Sequence, residues 1–538
     1  MPSSVINPPT NFSLDPFVGV WTASEASHLL RRTLFGPTYQ NIADSVANGM
    51  DATVATLLTP TSTDLPLTYD AGEAVASFGQ PWNLTPQSSN ASLIPPTETA
   101  RNKSLGAWAM KNLNNESMSI TEKMCLFWHN HFAAPFSVDA RSTLKYHQLI
   151  RQYCLGNFKD FVKAMTINTS MLEFQNGATN NVYSPNENYA REFLELFTIG
   201  KGLQVGPGDY SNYTEEDVAA GAKIFTGYYL QGIQSSTDND VTSAFHPLLH
   251  DTSNKQLSYR FNDAVITAGG ATEYESYVDV VFQQDEVAHF ISRKLYRYFV
   301  NHDLTEDVEA SVIPAMAAIM IANNYEILPV VEALFKSQHF YDVKLKGSCI
   351  KSPVELLFSL INGSLSTPSY DLATTSDMYL YIYGLGDNLG QPYGQPPSVS
   401  GWSAYYQAPN FTKLWVNSTH IKTRMSLAYL FTIGSGIVIN GNTFKVNALD
   451  FLNSLSNPSS ANAVIDDMIL VFLPKPLTAT QRLILKSVLT GGQPDFEWTV
   501  QYNDYNSDPG NTTYSLPIKQ KIETTLMRLF ILPECQTF

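Results

Sequence analysis

Charge is scarce in this chain. Asp, Glu, Lys and Arg make up 15% of its 538 residues, against about 25% in an average soluble domain. The surface must therefore be covered largely by uncharged polar groups, and stretches such as NGATNNVYSPNENY and NPSSANAV supply them. Such a surface repels itself less than a charged one and suits an exported protein or part of an assembly. The charge that is there is mostly negative, with a formal net of −16. No block of Lys or Arg occurs, which argues against a nucleic-acid partner, because phosphate contacts need clustered cations. No apolar run reaches the ~18 residues that would mark a membrane span. The N-terminal MPSSVINPPTNFSLDPF has neither a basic region nor an apolar stretch, so no secretory signal is visible.

Cysteine is also rare. Cys125, Cys154, Cys349 and Cys535 are far apart and show no C-x-x-C spacing. A chain that is 44% hydrophobic can build a large core without disulfides, so buried free thiols are the expectation. HExxH, GxSxG and GxxxxGK[ST] are missing. Their absence disfavours a standard zincin, an α/β-hydrolase and a P-loop enzyme.

What is present is helical periodicity. Thr22-Ala-Ser-Glu25 reads as a capping box before SEASHLLRRTLF, Ser119-Ile-Thr-Glu122 as one before the helix carrying FWHNHF, and Thr272-Glu-Tyr-Glu275 as a third. The last helix, IKQKIETTLMRLFIL, places Ile518, Ile522, Leu526 and Leu529 on one face. Asn440-Gly441 suits a type I′ hairpin within IVINGNTFKV. The expected class is mainly α: a large multi-helix orthogonal bundle with a small irregular or β insertion and a minor β-hairpin. Five parts are expected within one unit. Residues 1–20 form an extended arm, and 21–227 a helical region with the polar motifs. Residues 228–271 form the insertion, 272–430 a second helical region, and 431–538 the C-terminal hairpin and helices.

Three polar clusters carry candidate chemistry. In FWHNHF, His129 and His131 are two apart and point about 200° away from each other while helical, so a shared ion would require the helix to end near Asn130. Each histidine reads either as a core group bonded to backbone or as a metal ligand. In NENYARE, Glu187 and Arg191 form an i,i+4 pair. Glu192 and Glu195 share a face, as metal-binding carboxylates do in helix bundles, yet a solvated face explains them equally. In FHPLLHDT, His250 and Asp251 are residue types that ligate zinc or a similar ion from a loop.

These pieces occur in an order that resembles one bacterial family, catalogued as domain of unknown function 1800. The segments that carry the resemblance are HLLRRTLFGPT, EKMCLFWHNHF, NENYAREFLELFTIGKG, YTEEDVAAGAKIFTGY, HDTSNK, HFISRKLYRYFV, KSPVELL and PPSVSGW. They run from about residue 28 to the C-terminus. The resemblance implies a mostly helical, often exported protein without an established reaction. It also implies association with a partner similar to sulfatases and alkaline phosphatases. The polar residues in the matching segments include Arg31, Arg32, His129, Asn130, His131, Asn186, Glu187, Asn188, Arg191, Glu192, His250 and Asp251. MLEFQNGATNN departs from the family pattern, which commonly has an Asp near Gln175.

Two functional readings follow. One is an extracytoplasmic structural, assembly or interaction protein, homo-oligomeric or part of something larger, with the polar motifs as buried packing networks. The other is a metal-assisted hydrolase. In it His129 or His131 joins His250, Asp251 and a carboxylate from Glu187 or Glu192 around a divalent ion such as zinc. The ion activates a water, and Arg191 or Arg32 holds an anionic group.

Overall fold

Capped amphipathic helices build the molecule. The computed structural model describes residues 9–114 and 117–538. Among them are 22 α-helices and four two-stranded antiparallel sheets, so the protein is mainly α, as its periodicity predicts. Of four helices that anchor the fold, the last three position the site. The first, α1 (Ala23–Thr33), begins at Thr22, which accepts from the Ser24 N–H at 3.2 Å and donates to Glu25. It buries Ala26, Leu29 and Leu30.

The second, α2 (Thr121–Phe132), carries FWHNHF. Its expected capping box does not form. Ser119 Oγ accepts from the Thr121 N–H at 3.3 Å, while Glu122 turns away to Arg151 at 2.7 Å. The helix ends after Phe132, where Ala133 adopts φ 49° and donates its N–H to the His129 carbonyl at 2.9 Å. Both histidines are therefore helical. Trp128 anchors this helix by stacking on Phe158 at 5.3 Å and donating its indole N–H to the Cys154 carbonyl at 3.0 Å. Losing such a fully buried indole typically costs about 3–5 kcal/mol.

The third, α3 (Glu187–Glu192), is capped by Asn186, which accepts from the Asn188 N–H at 2.9 Å. It continues without a break into a π-helical stretch, Phe193–Thr198. Its apolar face, Ala190, Phe193, Leu194 and Phe197, is buried. The fourth, α4 (Glu286–Phe299), buries Val287, Ile291, Leu295 and Phe299.

One contiguous apolar core draws on residues from Ala26 to Cys535, with a small satellite around Trp82. The terminal helix Thr512–Phe530 sinks Ile518, Ile522, Leu526 and Leu529 into it. All four cysteines are buried and free. Region 228–271 holds two short hairpins, Tyr228–Gln231 with Thr242–Phe245 and Lys255–Gln256 with Val265–Ile266. A further pair, Gln204–Gly206 with Asp209–Tyr210, went unforeseen. The Ile437–Ile439 and Asn442–Phe444 hairpin turns on Asn440 at φ 51° and Gly441 at φ 76°, the two positive values a type I′ turn needs. Residues 1–8 of the expected arm lie outside the described residues. The remainder docks on its own chain. Asp342 accepts from the N–H groups of Thr10 at 2.6 Å and Asn11 at 3.0 Å, and Phe17 donates to the Lys336 carbonyl at 2.8 Å. No helix among the described residues is long and apolar enough to cross a membrane.

Candidate functional site

The last turn of α2 holds three polar residues about 100° apart around the helix, so they point in three directions. His129 enters the core. Its Nε2 donates to the Tyr393 carbonyl at 2.7 Å, and its Nδ1 accepts from the Tyr146 hydroxyl at 3.1 Å. Rings of His147, Tyr393 and Trp402 surround it. Burial brings its pKa down to about 4, so it packs as a neutral group with both nitrogens used.

Asn130 faces the PPSVSGW loop and accepts from the Trp402 N–H at 2.9 Å. Gly401 sits at φ 79°, and a Cβ there would lie 2.3 Å from Asn130 Oδ1 and 2.4 Å from the Asn130 carbonyl oxygen. Only glycine allows this backbone conformation and this approach together.

His131 turns towards the π-helical stretch. Its Nε2 donates to the Phe197 carbonyl at 3.1 Å, and its Nδ1 accepts from Lys294 Nζ at 3.0 Å. Lys294 also donates to the Leu196 carbonyl at 2.9 Å. Both carbonyls belong to the end of a helical run, where the last C=O groups lack intrahelical partners and favour cationic donors. The tautomer of His131 follows from these bonds: a carbonyl on one side requires N–H at Nε2, which leaves Nδ1 as acceptor. Burial first, and then the Lys294 charge, holds His131 well below its ordinary pKa and neutral.

Between these groups lies a cavity of about 180 Å³. Asn130 and His131 of α2 and Glu195 and Leu196 of the π-helical stretch form one side. Phe290, Arg293, Lys294 and Arg297 of α4 form the other, and Ser400, Tyr405 and Tyr406 close it. A larger groove of about 670 Å³ runs along residues 60–67. It is open to solvent, and its Glu122 is already paired with Arg151.

The cavity carries unmatched positive charge. Arg293 is neutralised by Glu286 at 2.7 Å and Glu309 at 3.0 Å. Glu195 is held by Lys201 at 3.1 Å and by the Tyr213 hydroxyl at 2.9 Å. Lys294 has no carboxylate partner among the described residues. Burial, then the Arg297 charge, brings its pKa down to about 7, although it keeps some accessible surface where it lines the cavity. Arg297 lies over the Phe411 ring at 5.4 Å, and its Nε is buried with no hydrogen-bond partner among the described residues. Glu309 and Asp303 act on it only through space. Burial lowers its pKa too, yet a guanidinium stays charged at neutral pH. The Nε atoms of Arg31, Arg32, Arg151 and Arg424 are buried in the same way, so what sets Arg297 apart is its place in the cavity wall beside Lys294. The arrangement can take an anion, and it holds an amine that changes charge near neutrality.

The other sequence candidates do not line this cavity; they fall into separate local groups, His250 with Asp251 and Arg191 with Glu187. His250 is buried against Thr226 and Glu273, with its Nε2 3.0 Å from a Glu273 carboxylate oxygen. Asp251 accepts from the Ser253 N–H at 2.8 Å and stands 3.6 Å from Lys255. Arg191 bridges Glu187 at 3.2 Å and Glu215 at 2.7 Å near the surface. Glu192 is half-buried, and burial followed by the charge of Glu195 raises its pKa. Arg32 donates to the Leu345 carbonyl at 2.7 Å and to Ser348 at 3.2 Å, with its guanidinium over Phe538. The expected convergence of His129 or His131 with His250, Asp251 and Glu187 or Glu192 is therefore not formed. Local carbonyls, hydroxyls and ion pairs occupy the histidines, Asp251 and Glu187. No group of three or more His, Cys, Asp and Glu among the described residues could hold a metal ion.

Sequence reasoning missed Lys294 and Arg297. Within HFISRKLYRYFV, cations stand at 293, 294 and 297, and no acidic residue lies three or four positions from any of them. A helix with a solvated basic face commonly supplies such i,i+4 partners, and their absence was a readable signal. A family model described as "Protein of unknown function (DUF1800)" matches residues 28–527, and the chain belongs to that family. No curated protein and no solved structure matches it.

Proposed function

We propose that this member of the family binds a small organic anion in the cavity between α2, the π-helical stretch and α4. Arg297 and Lys294 hold the anionic group, and Phe127, Phe290, Tyr298 and Tyr405 pack its apolar body. The observation that carries this reading is that Arg297 and Lys294 both line the cavity and neither is ion-paired with a carboxylate among the described residues. A carboxylate, sulfate or phosphate placed there completes charge-assisted hydrogen bonds in a poorly hydrated site, where they are strongest. Apolar walls with a few convergent polar groups are what small-molecule sites generally offer. Four separate segments that carry the family resemblance meet here: EKMCLFWHNHF, NENYAREFLELFTIGKG, HFISRKLYRYFV and PPSVSGW.

The two readings of the sequence fare differently beside this one. Metal-assisted hydrolysis needs donors that share one place, and those candidates are held apart. The assembly reading drew on a sparsely charged surface and on polar motifs as packing networks, and the described part of the N-terminal arm docks on its own chain. Calorimetric titration with phenylacetate and with uncharged phenylacetamide tests the anion reading. Phenylacetate binds the native protein, phenylacetamide does not, and Arg297→Met weakens binding tenfold or more, which is about 1.4 kcal/mol. Equal binding of acid and amide, or no binding by phenylacetate, phenyl phosphate and phenyl sulfate alike, would sink the proposal.

A further inference from the structure

The hydrogen bonds around Lys294 leave one direction unused. Its nitrogen donates to two acceptors, His131 Nδ1 at 3.0 Å and the Leu196 carbonyl at 2.9 Å. An ammonium has three protons and needs three acceptors, whereas a neutral amine has two protons and one lone pair. Beyond the two acceptors Nζ meets the face of the Phe290 ring at 4.6 Å, which lines the cavity, and the neutral His131 Nδ1 stands within reach as a base. Desolvation and the neighbouring Arg297 favour the uncharged form near pH 7. An amine desolvated beside a second cation is the arrangement that activates lysine as a nucleophile.

We infer that Lys294 is a nucleophilic lysine that condenses with the carbonyl of a 2-oxo acid whose carboxylate is held by Arg297, forming an imine. This rests on the anion-binding reading and adds the class of ligand. A 2-oxo acid places a carboxylate next to an electrophilic carbon, which matches an unpaired guanidinium close to an amine. The aromatic walls favour an aryl or branched side chain over a bare one.

The step balances without a further reactant. The Nζ lone pair attacks the carbonyl carbon, the C–N bond forms, and the π pair moves onto oxygen. His131 Nδ1, already bonded to Nζ, accepts a proton from the cationic nitrogen and passes it to that oxygen, giving a neutral carbinolamine. The nitrogen lone pair then expels hydroxide, the C–O bond breaks, and the second amine proton travels by the same Nδ1 to the departing hydroxide. The products are one imine and one water. His131 keeps its Nε2–H on the Phe197 carbonyl throughout, which fixes the tautomer the relay needs.

The test is reductive trapping on the full chain. Protein is incubated with phenylpyruvate and cyanoborohydride, digested, and mapped by mass. The expected product is a peptide containing Lys294, heavier by the mass of phenylpyruvate less one oxygen. Lys294→Met and Lys294→Arg lose it, and the arginine variant, which preserves charge and donors, shows that the loss is not one of folding. Excess phenylacetate suppresses trapping, and Arg297→Met lowers it tenfold or more. If phenylacetate and phenylpyruvate bind by calorimetry but Lys294 is never modified, the imine is overturned while the anion site stands. If Lys294 is trapped equally with phenylpyruvate and with the uncharged phenylacetone, and phenylacetate gives no protection, the carboxylate role of Arg297 is overturned.

Discussion

Two lysine–histidine clusters in this protein use the same residue types and differ in how their charge is balanced. Around His250, Lys255 meets Glu273 at 2.6 Å, and both side chains are fully buried. Glu273 also accepts from His250 and from the Gly269 N–H at 3.1 Å, and Lys255 donates to the Asp251 carbonyl. Every charge there has a counterpart. Around His131, Lys294 meets a neutral imidazole and a carbonyl, and the charge that acts on it is another cation, Arg297. The first cluster is closed and explains itself as packing. The second is left open on the side that faces a cavity. What separates the two is the balance of charge beside a cavity, since Glu273 Oε1 also lacks a well-aligned hydrogen bond yet is answered by the Lys255 charge.

The comparison can be broken from either end. The largest effect is expected at the closed cluster. Glu273→Gln leaves Lys255 buried without its carboxylate, and urea unfolding should show a loss of about 3–5 kcal/mol. A loss under about 1 kcal/mol would mean that the pair is not what closes this region. Next is the loop seat at the open cluster. Gly401→Ala forces a Cβ against Asn130 at a positive φ, and a destabilisation of about 1–3 kcal/mol is expected by the same assay. An unchanged midpoint would show that the loop can back away.

The third prediction concerns pH. Lys294 titrates near 7 in the folded protein and at about 10.5 when unfolded. Between those values the unfolded chain binds a proton that the native one does not, so this group makes stability rise with pH across that window and contributes no slope below it. The thermal midpoint of Lys294→Met should lack this rise. The variant should also gain most over the native protein below pH 7, where the native lysine is charged and buried. Parallel profiles for the two proteins would refute it. The smallest effect on stability belongs to Arg297→Met, which removes an unpaired buried charge and should be neutral or mildly stabilising. A loss comparable to that of Glu273→Gln would show that Arg297 is structural.

Much of the fold was legible because it rests on local rules. The stripe of Ile518, Ile522, Leu526 and Leu529 needs only a helical period, and Asn440-Gly441 needs only tolerance of positive φ. Capping boxes were less dependable: Glu122 was drawn into a long-range ion pair with Arg151, and Thr272 makes no side-chain cap hydrogen bond at the helix where Glu275 was expected to close a box. The site was legible in part. FWHNHF showed that two histidines must diverge, and one of them does line the cavity. What no periodicity shows is the π-helical stretch that releases the Leu196 and Phe197 carbonyls, or the 163-residue separation between His131 and Lys294. Those depend on which helix ends meet, and that is a property of the whole packing.

The most direct test is a crystal of the native protein soaked in bromide at pH 6, where Lys294 is protonated, with an anomalous difference map. The account predicts a bromide between Lys294 and Arg297 and none at Lys255, whose charge Glu273 already answers. Bromide at surface cations with the cavity vacant, or bromide at Lys255, would contradict it.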